Sequence, residues 1–417
     1  MKCQLIRGGT IRNILLPLSR RRLLAGAVAT FAAPSALRGQ AASPSGDVRV
    51  LRAQPAGYDG IVPGPMLHVT RGEEVHIRLF NALSEPTALH WHGVRLANAM
   101  DGVPPLTQAP VAPGESFDYR FAAPDAGTYW YHPPRPAPDG RYGVLIVNEA
   151  EPVDVDHDQT LVFDNARADA AAGSAPFTVN SNSSFDIRAR QNERLRLRLL
   201  NASSNRVLDL RVEGLRTFVM ATDGEPAQPF AARDGRLSLG PGNRIDLFVD
   251  CTLAPGSSAP IALEHPGAGA ISIARIACEA GAPARPAPRD HPQPLPPNAL
   301  PERMDFAAAF HLDTAAGRIG GQGGGQSSQP LFTVARGRTV MLGLSNLTSE
   351  TVAMHLHGHS FRLLDSLDDG WKPFWLDTMP IEPQTTPRIG FVADNPGKWL
   401  IEGLAADGSP GAWFEVT

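Results

Sequence analysis

Two short segments each carry a histidine, one further residue, a second histidine and a glycine: His90-Trp91-His92-Gly93 and His355-Leu356-His357-Gly358. Residues two apart on a β-strand project to the same face, so each segment, read as a strand, sets two imidazoles side by side. Imidazole sites without thiolate suit copper, zinc, iron or nickel, and divalent copper binds most tightly at a given set of ligands. A third segment, GTYWYH from Gly127, ends on His132, and its counterpart GKWLIE from Gly397 ends on Glu402. Pro133 and Pro134 follow His132, so no second histidine lies two residues on. His359 shares the parity of His355 and His357 but has no counterpart in the first segment. His68, His76, His157, His265, His291 and His311 fall outside the pattern and read as surface or hydrogen-bonded core residues.

What must position these side chains is visible as a repeat. RGEEVHIRLFNALSE from Arg71, QNERLRLRLLNASSN from Gln191 and RGRTVMLGLSNLTSE from Arg336 share one pattern, a period-2 strand closing on Asn81, Asn201 or Asn346. Leu79, Ile77 and Val75, then Leu199, Leu197 and Leu195, then Leu344, Leu342 and Val340 form its apolar face. Turns at Pro113, Pro241 and Pro383 each lead into another strand, and Gly127 and Gly397 both lie 14 residues beyond their turn. His90 and His355 both stand nine residues after the repeated Asn, where the middle repeat has Leu210 and Val212. The spacing predicts three β-sandwich domains over 46–150, 151–285 and 304–417, a Pro-rich linker over 286–303, and a metal site between the first and third domains with the middle one as spacer. The run GGQGGGQSS from Gly320 to Ser328 reads as a loop.

The totals agree with this. Among 417 residues, 40 Gly and 39 Pro with only 19% charged residues favour many short strands joined by turns. The net charge is −4 and no run of Lys and Arg lies outside the N-terminus, so nothing reads as a nucleic-acid surface. At that N-terminus, Ser19-Arg20-Arg21-Arg22-Leu23-Leu24 opens an apolar Ala- and Gly-rich stretch to about Ala36, which is too short to span a bilayer as a helix. It reads as a twin-arginine export signal over 1–42, hence a periplasmic protein handled by the twin-arginine translocation machinery. Cys3 leaves with that signal; Cys251 and Cys278 stay, either as a disulfide or as a pair of buried free thiols.

PTALHWHGVRLANAMDGVPPLTQAPVAPGESFDYRF, GTYWYH and MHLHGHSF resemble the first three copper motifs of laccases and bacterial copper oxidases, and RLRLLNASSNR and LGPGNRIDLFVD resemble their middle domain. The likeness to the multicopper oxidase family covers nearly the whole chain beyond the signal, and it implies an all-β fold of three consecutive cupredoxin-like Greek-key sandwiches. In that family a type 1 copper takes electrons from the substrate, and a cluster of type 2 and type 3 coppers reduces dioxygen to water. The type 1 site needs two histidines and a cysteine thiolate. Carried over by motif, the first of those histidines is Val352, the fourth motif is replaced by Glu402-Gly403-Leu404, and the third domain contains no cysteine. The resemblance therefore implies a cluster cut back to His90, His92, His132, His355 and His357. His90 and His355 match the type 2 pair, His92 and His132 match two ligands of one type 3 copper, and His357 is alone for the other. Asp101 matches the acidic residue that helps deliver protons; a turn-stabilising Asp before Gly102 is the equal alternative.

Two functions compete. One is a periplasmic copper-binding protein that holds about one type 2-like copper and, lacking electron entry, has weak or no oxidase turnover. The other is a metal-free scaffold or interaction protein similar to the SufI cell-division branch. The family label implies an oxidoreductase, whereas the missing ligands speak against ordinary laccase catalysis.

Overall fold

The computed structural model describes residues 48–417 except 135–139, 166–176, 204–205, 266–268, 302–303, 307–308, 316–328, 365–369, 371 and 404–410, and except the side chains of 265 and 310–315. The export signal, the loop 320–328 and Leu404 thus lie outside the described residues. The described chain is all-β apart from two short 3₁₀ turns, with six sheets that fall into three consecutive cupredoxin-like sandwiches. In each, the repeat strand is central. Glu74–Asn81, Arg194–Asn201 and Arg338–Ser345 pair antiparallel with the turn-led strands Ser116–Ala122, Arg244–Asp250 and Arg388–Ala393. On their other side they pair parallel with Arg49–Gln54, His157–Asp164 and Phe310–Ala315.

The apolar face expected from the period-2 pattern is buried in all three repeats. The repeated Asn has a mechanical task. Asn81 donates to the carbonyls of Glu85 at 2.8 Å and Val111 at 2.9 Å, and accepts from the Leu83 N–H at 2.9 Å. Asn201 ties Arg206, Leu239 and Ser203 in the same way, and Asn346 ties Glu350, Ile381 and Thr348. Each side chain is completely buried and satisfies backbone groups that the turn would otherwise orphan.

The middle repeat differs from its pattern. Arg194, Arg196 and Arg198 occupy the positions that alternate with the leucines, yet all are buried. Arg194 pairs with Asp250, Arg196 with Glu149 and Asp246, and Arg198 with Asp158 and Asp246. That face of the middle sandwich lies against the first, which supplies Glu149 and Thr128, so the charges are buried by a neighbour. Cys251 and Cys278 are buried free thiols in mutual hydrogen-bond contact, and burial pushes the Cys251 thiol up to about 12.

One apolar cluster runs without a break through the first and third sandwiches, from Leu51 and Trp91 to Leu356 and Trp399. The histidine strands sit along this seam. His90–His92 pairs with Gly127–His132 in one sandwich; Val352–Leu356 lies between Gly397–Gly403 and Thr378–Ile381 in the other. No helix among the described residues is long and apolar enough to cross a membrane.

Candidate metal centre

The two histidine pairs meet across the seam. His90, His92, His132, His355 and His357 are all buried, and neighbouring rings among them lie 3.6 to 5.8 Å apart, centroid to centroid, with His92 stacked on His355 at the short end. Both glycines after the pairs are needed. Gly93 has φ +86°, and a Cβ there would lie 2.2 Å from Nη2 of Arg244; Gly358 has φ +67°, and a Cβ would lie 2.3 Å from the Trp399 ring.

His90 gives its Nδ1 proton to the Asp101 carbonyl at 2.9 Å, and His355 gives its own to the Asp377 carbonyl at 3.0 Å. A carbonyl only accepts, so in the neutral rings both Nε2 atoms carry lone pairs, and the two atoms face each other at 3.4 Å. Two acceptors in that position repel unless a cation lies between them. Metal–imidazole bonds of about 2 Å span such a gap at an ordinary ligand angle. His90, His92 and His355 form one group able to hold a metal ion, and His90, Asp101 and His357 form a second. Burial keeps His355 down at about 3 and His92 and His132 well below the usual imidazole range, which leaves them neutral.

His357 is the exception. Its Nδ1 lies 3.0 Å from Asp101 Oδ2 and its Nε2 lies 3.3 Å from Glu402 Oε2. Burial works to lower its pKa, but the two carboxylates outweigh that and bring it to about 9. Each of its ring nitrogens thus lies against a carboxylate, while with His90 and Asp101 it forms the second group able to hold a metal ion. Asp101 is fully buried, with one oxygen on His357 and the other 3.3 Å from His90 Nδ1. Burial favours its neutral form, yet His357 and His90 hold the carboxyl well below the ordinary range. His359 turns away from the cluster into a cage of Phe391, Trp399 and Phe414 and donates Nδ1–H to the His357 carbonyl at 3.1 Å. At the positions matched to the type 1 ligands, Val352 Cγ1 would lie 3.8 Å from a Cβ placed on Gly403.

Asp223, Asn243, Arg244, Asp377 and Thr378 were not among the residues picked from the sequence. Arg244 is fully buried beneath the histidines and holds Asp377 Oδ1 at 2.8 Å and Oδ2 at 2.5 Å. The available signal was an arginine that opens one strand and an aspartate just before another, in PGNRID and WLDTMP.

Multicopper oxidase family models match residues 42–152, 148–257 and 296–403. The chain belongs to the multicopper oxidase family. Multicopper oxidase MmcO of Mycobacterium tuberculosis is 27% identical over 415 residues, covering 82% of this chain and 79% of the relative. Copper resistance protein A of Pseudomonas syringae pv. tomato is 27% identical over 258 residues, 46% of this chain and 42% of its own. The structure of Lac15 from a marine microbial metagenome is 32% identical with a TM-score of 0.75, covering 88% of this chain and 98% of that one. In this multicopper oxidase chain the facing lone pairs of His90 and His355 fit copper. His357 differs from these two in having a carboxylate on each nitrogen.

Proposed function

We propose that the protein is an exported copper-binding member of its family that takes about one divalent copper at His90 and His355, assisted by His92, His132 or His357. The observation that carries this is the pair of Nε2 lone pairs facing each other at 3.4 Å between two sandwiches. The name of the Pseudomonas syringae relative supports a copper-handling role. Bound there, copper would supply one-electron redox chemistry and Lewis acidity. The chain's own residues orient the imidazoles through Asp101 and Asp377 and keep water out by burial. Val352 and Gly403, with no cysteine in residues 304–417, leave no thiolate-bonded electron entry, so oxidase turnover is weak or absent. Asp101 has both oxygens taken by His90 and His357, which supports orientation rather than proton delivery as its task.

In this reading the three sandwiches are domains over 46–150, 151–285 and 304–417, joined before the third by a linker over 286–303. Export follows the twin-arginine route to the periplasm. Replacing Arg20 and Arg21 by Lys should strand the precursor in the cytoplasm; undiminished periplasmic delivery would refute that route.

Protein recovered from the periplasm, dialysed against divalent copper and freed of excess, should carry about one copper with a type 2 paramagnetic signal and no intense blue absorption. His90→Ala combined with His355→Ala should abolish that binding without unfolding the chain. Sustained dioxygen uptake with a phenolic donor would overturn the claim of weak turnover. The ion pair between His357 and Glu402, where the family motif has a histidine, favours a second reading as a metal-free scaffold. That reading takes over if the unmutated protein holds no metal.

A further inference from the structure

Asp377 and Thr378 lie at the meeting point of all three sandwiches, and every group around them is buried. The middle sandwich grips them from below. Asn243 Nδ2 donates to the Thr378 carbonyl at 2.8 Å, and Asp223 Oδ2 accepts the backbone N–H groups of Asp377 and Thr378, each at 3.2 Å. Asp223 also accepts the Arg244 backbone N–H at 2.9 Å, and its carbonyl accepts from Arg244 Nη2 at 2.9 Å. Arg244 then clasps both oxygens of Asp377 as a two-pronged ion pair, which fixes that carboxylate as an acceptor only.

The Thr378 hydroxyl has one proton and three neighbours: Asp377 Oδ1 at 2.7 Å, His92 Nε2 at 2.8 Å and His355 Nδ1 at 3.0 Å. A hydrogen bond to an ionised acceptor is about twice as strong as a neutral one, so the proton goes to Asp377. The hydroxyl oxygen can then only accept, taking Nε2–H from His92 and sharing Nδ1–H of His355 with the Asp377 carbonyl. His92 is thereby left with a lone pair on Nδ1, and that atom faces Nε2 of His132 at 3.2 Å. His132 donates Nδ1–H to the Pro133 carbonyl at 2.6 Å, so its Nε2 is also a lone pair. A second pair of acceptors thus faces across a gap, beside the pair made by His90 and His355. Were Asp377 uncharged, the hydroxyl proton could turn to His92 Nε2. The His92 proton would then sit on Nδ1 and close a hydrogen bond to His132 in place of a cation.

We propose that Arg244 of the middle sandwich is a positioning residue which, through Asp377 and Thr378, fixes the tautomers of His92 and His355 so that both present lone pairs to a divalent cation. The middle sandwich carries no ligand of its own and is in this sense the part that makes the site ready for metal. The metal arm of this inference rests on the copper reading above; the tautomer arm does not.

Nitrogen-15 spectra of the histidine rings in metal-free protein should show His92 protonated at Nε2 and His355 at Nδ1. In Asp377→Asn, an uncharged side chain of the same shape, and in Arg244→Gln, the His92 proton should move to Nδ1. Affinity for divalent copper should fall by about 10- to 100-fold in both variants, the usual effect of losing a group that orients a ligand. If Arg244→Gln fails to fold, Asp377→Asn gives the same reading. A purely structural role would lower the denaturation midpoint while leaving the tautomer in place, and that result overturns the proposal. So does a His92 proton found on Nδ1 in the unmutated protein. Correct tautomers in a protein that binds no copper would refute the copper reading and leave this one standing.

Discussion

Gly93 shows at the residue scale how tightly the site is built. Its φ of +86° lies in the left-handed region, and a Cβ would meet Arg244 Nη2 at 2.2 Å and Asp377 Oδ2 at 2.5 Å, the two groups that clasp each other. Gly93→Ala should therefore cost about 2 kcal/mol or more, combining backbone strain with overpacking against a buried ion pair. Chemical denaturation measures this, and an unchanged midpoint would show that Arg244 has room to move. The histidine spacing was legible because the strand period alone puts His90 beside His92 and His355 beside His357. The fate of His357 was not. It depends on Asp101, 256 residues away in sequence, and on Glu402, 45 residues away, and their approach is a product of folding.

At the scale of elements, the strand Arg194–Asn201 reads from sequence as a period-2 strand with one apolar face of leucines. Its leucine face behaves as predicted, because alternation follows from the pleat of the backbone. Its arginine face is buried as well, because a neighbouring sandwich covers it and supplies Glu149 as a counter-charge. Charges buried this way need partners on every side, and Arg196 and Arg198 share Asp246 between them. The repeated Asn was a sequence marker whose reason emerged only from the turn it ties: an amide has two donors and an acceptor, and the corner after each repeat strand leaves two carbonyls and one N–H to satisfy.

Across the whole molecule, the Pro-rich segment around Asn298 acts as a strap. Asn298 bonds both backbone groups of Ala126 in the first sandwich at 3.0 Å and Glu225 of the middle one at 2.8 Å, while Ser360 of the third approaches the other Glu225 oxygen at 3.2 Å. Burial, with Asp125 nearby, pushes the Glu225 carboxyl from an ordinary 4.5 up to about 8, opposed by Asn298, Arg95 and Ser360. A raised carboxyl pKa means the folded state holds its proton more tightly than the unfolded one. Stability should therefore be full below about pH 4.5, fall as pH rises towards 8, and level off above that. Glu225→Gln should flatten this part of the stability profile, as denaturant titrations at a series of pH values would show. A profile of unchanged slope would place the pH dependence elsewhere.

The sequence by itself determined the all-β class, the threefold repeat, the apolar faces of its strands and the pairing of histidines within each strand. All of these follow from local periodicity, which needs no knowledge of what lies across the chain. The tertiary structure alone decided which histidine nitrogens face each other, that His357 is held by two carboxylates, and that Arg244 reaches beneath both histidine pairs to hold Asp377. Apart from the approach of Glu402 to His357 within the third sandwich, those outcomes depend on contacts between sandwiches more than a hundred residues apart in sequence, such as the 133 residues between Arg244 and Asp377. A hydrogen bond has a direction and a proton that only the assembled neighbours can assign.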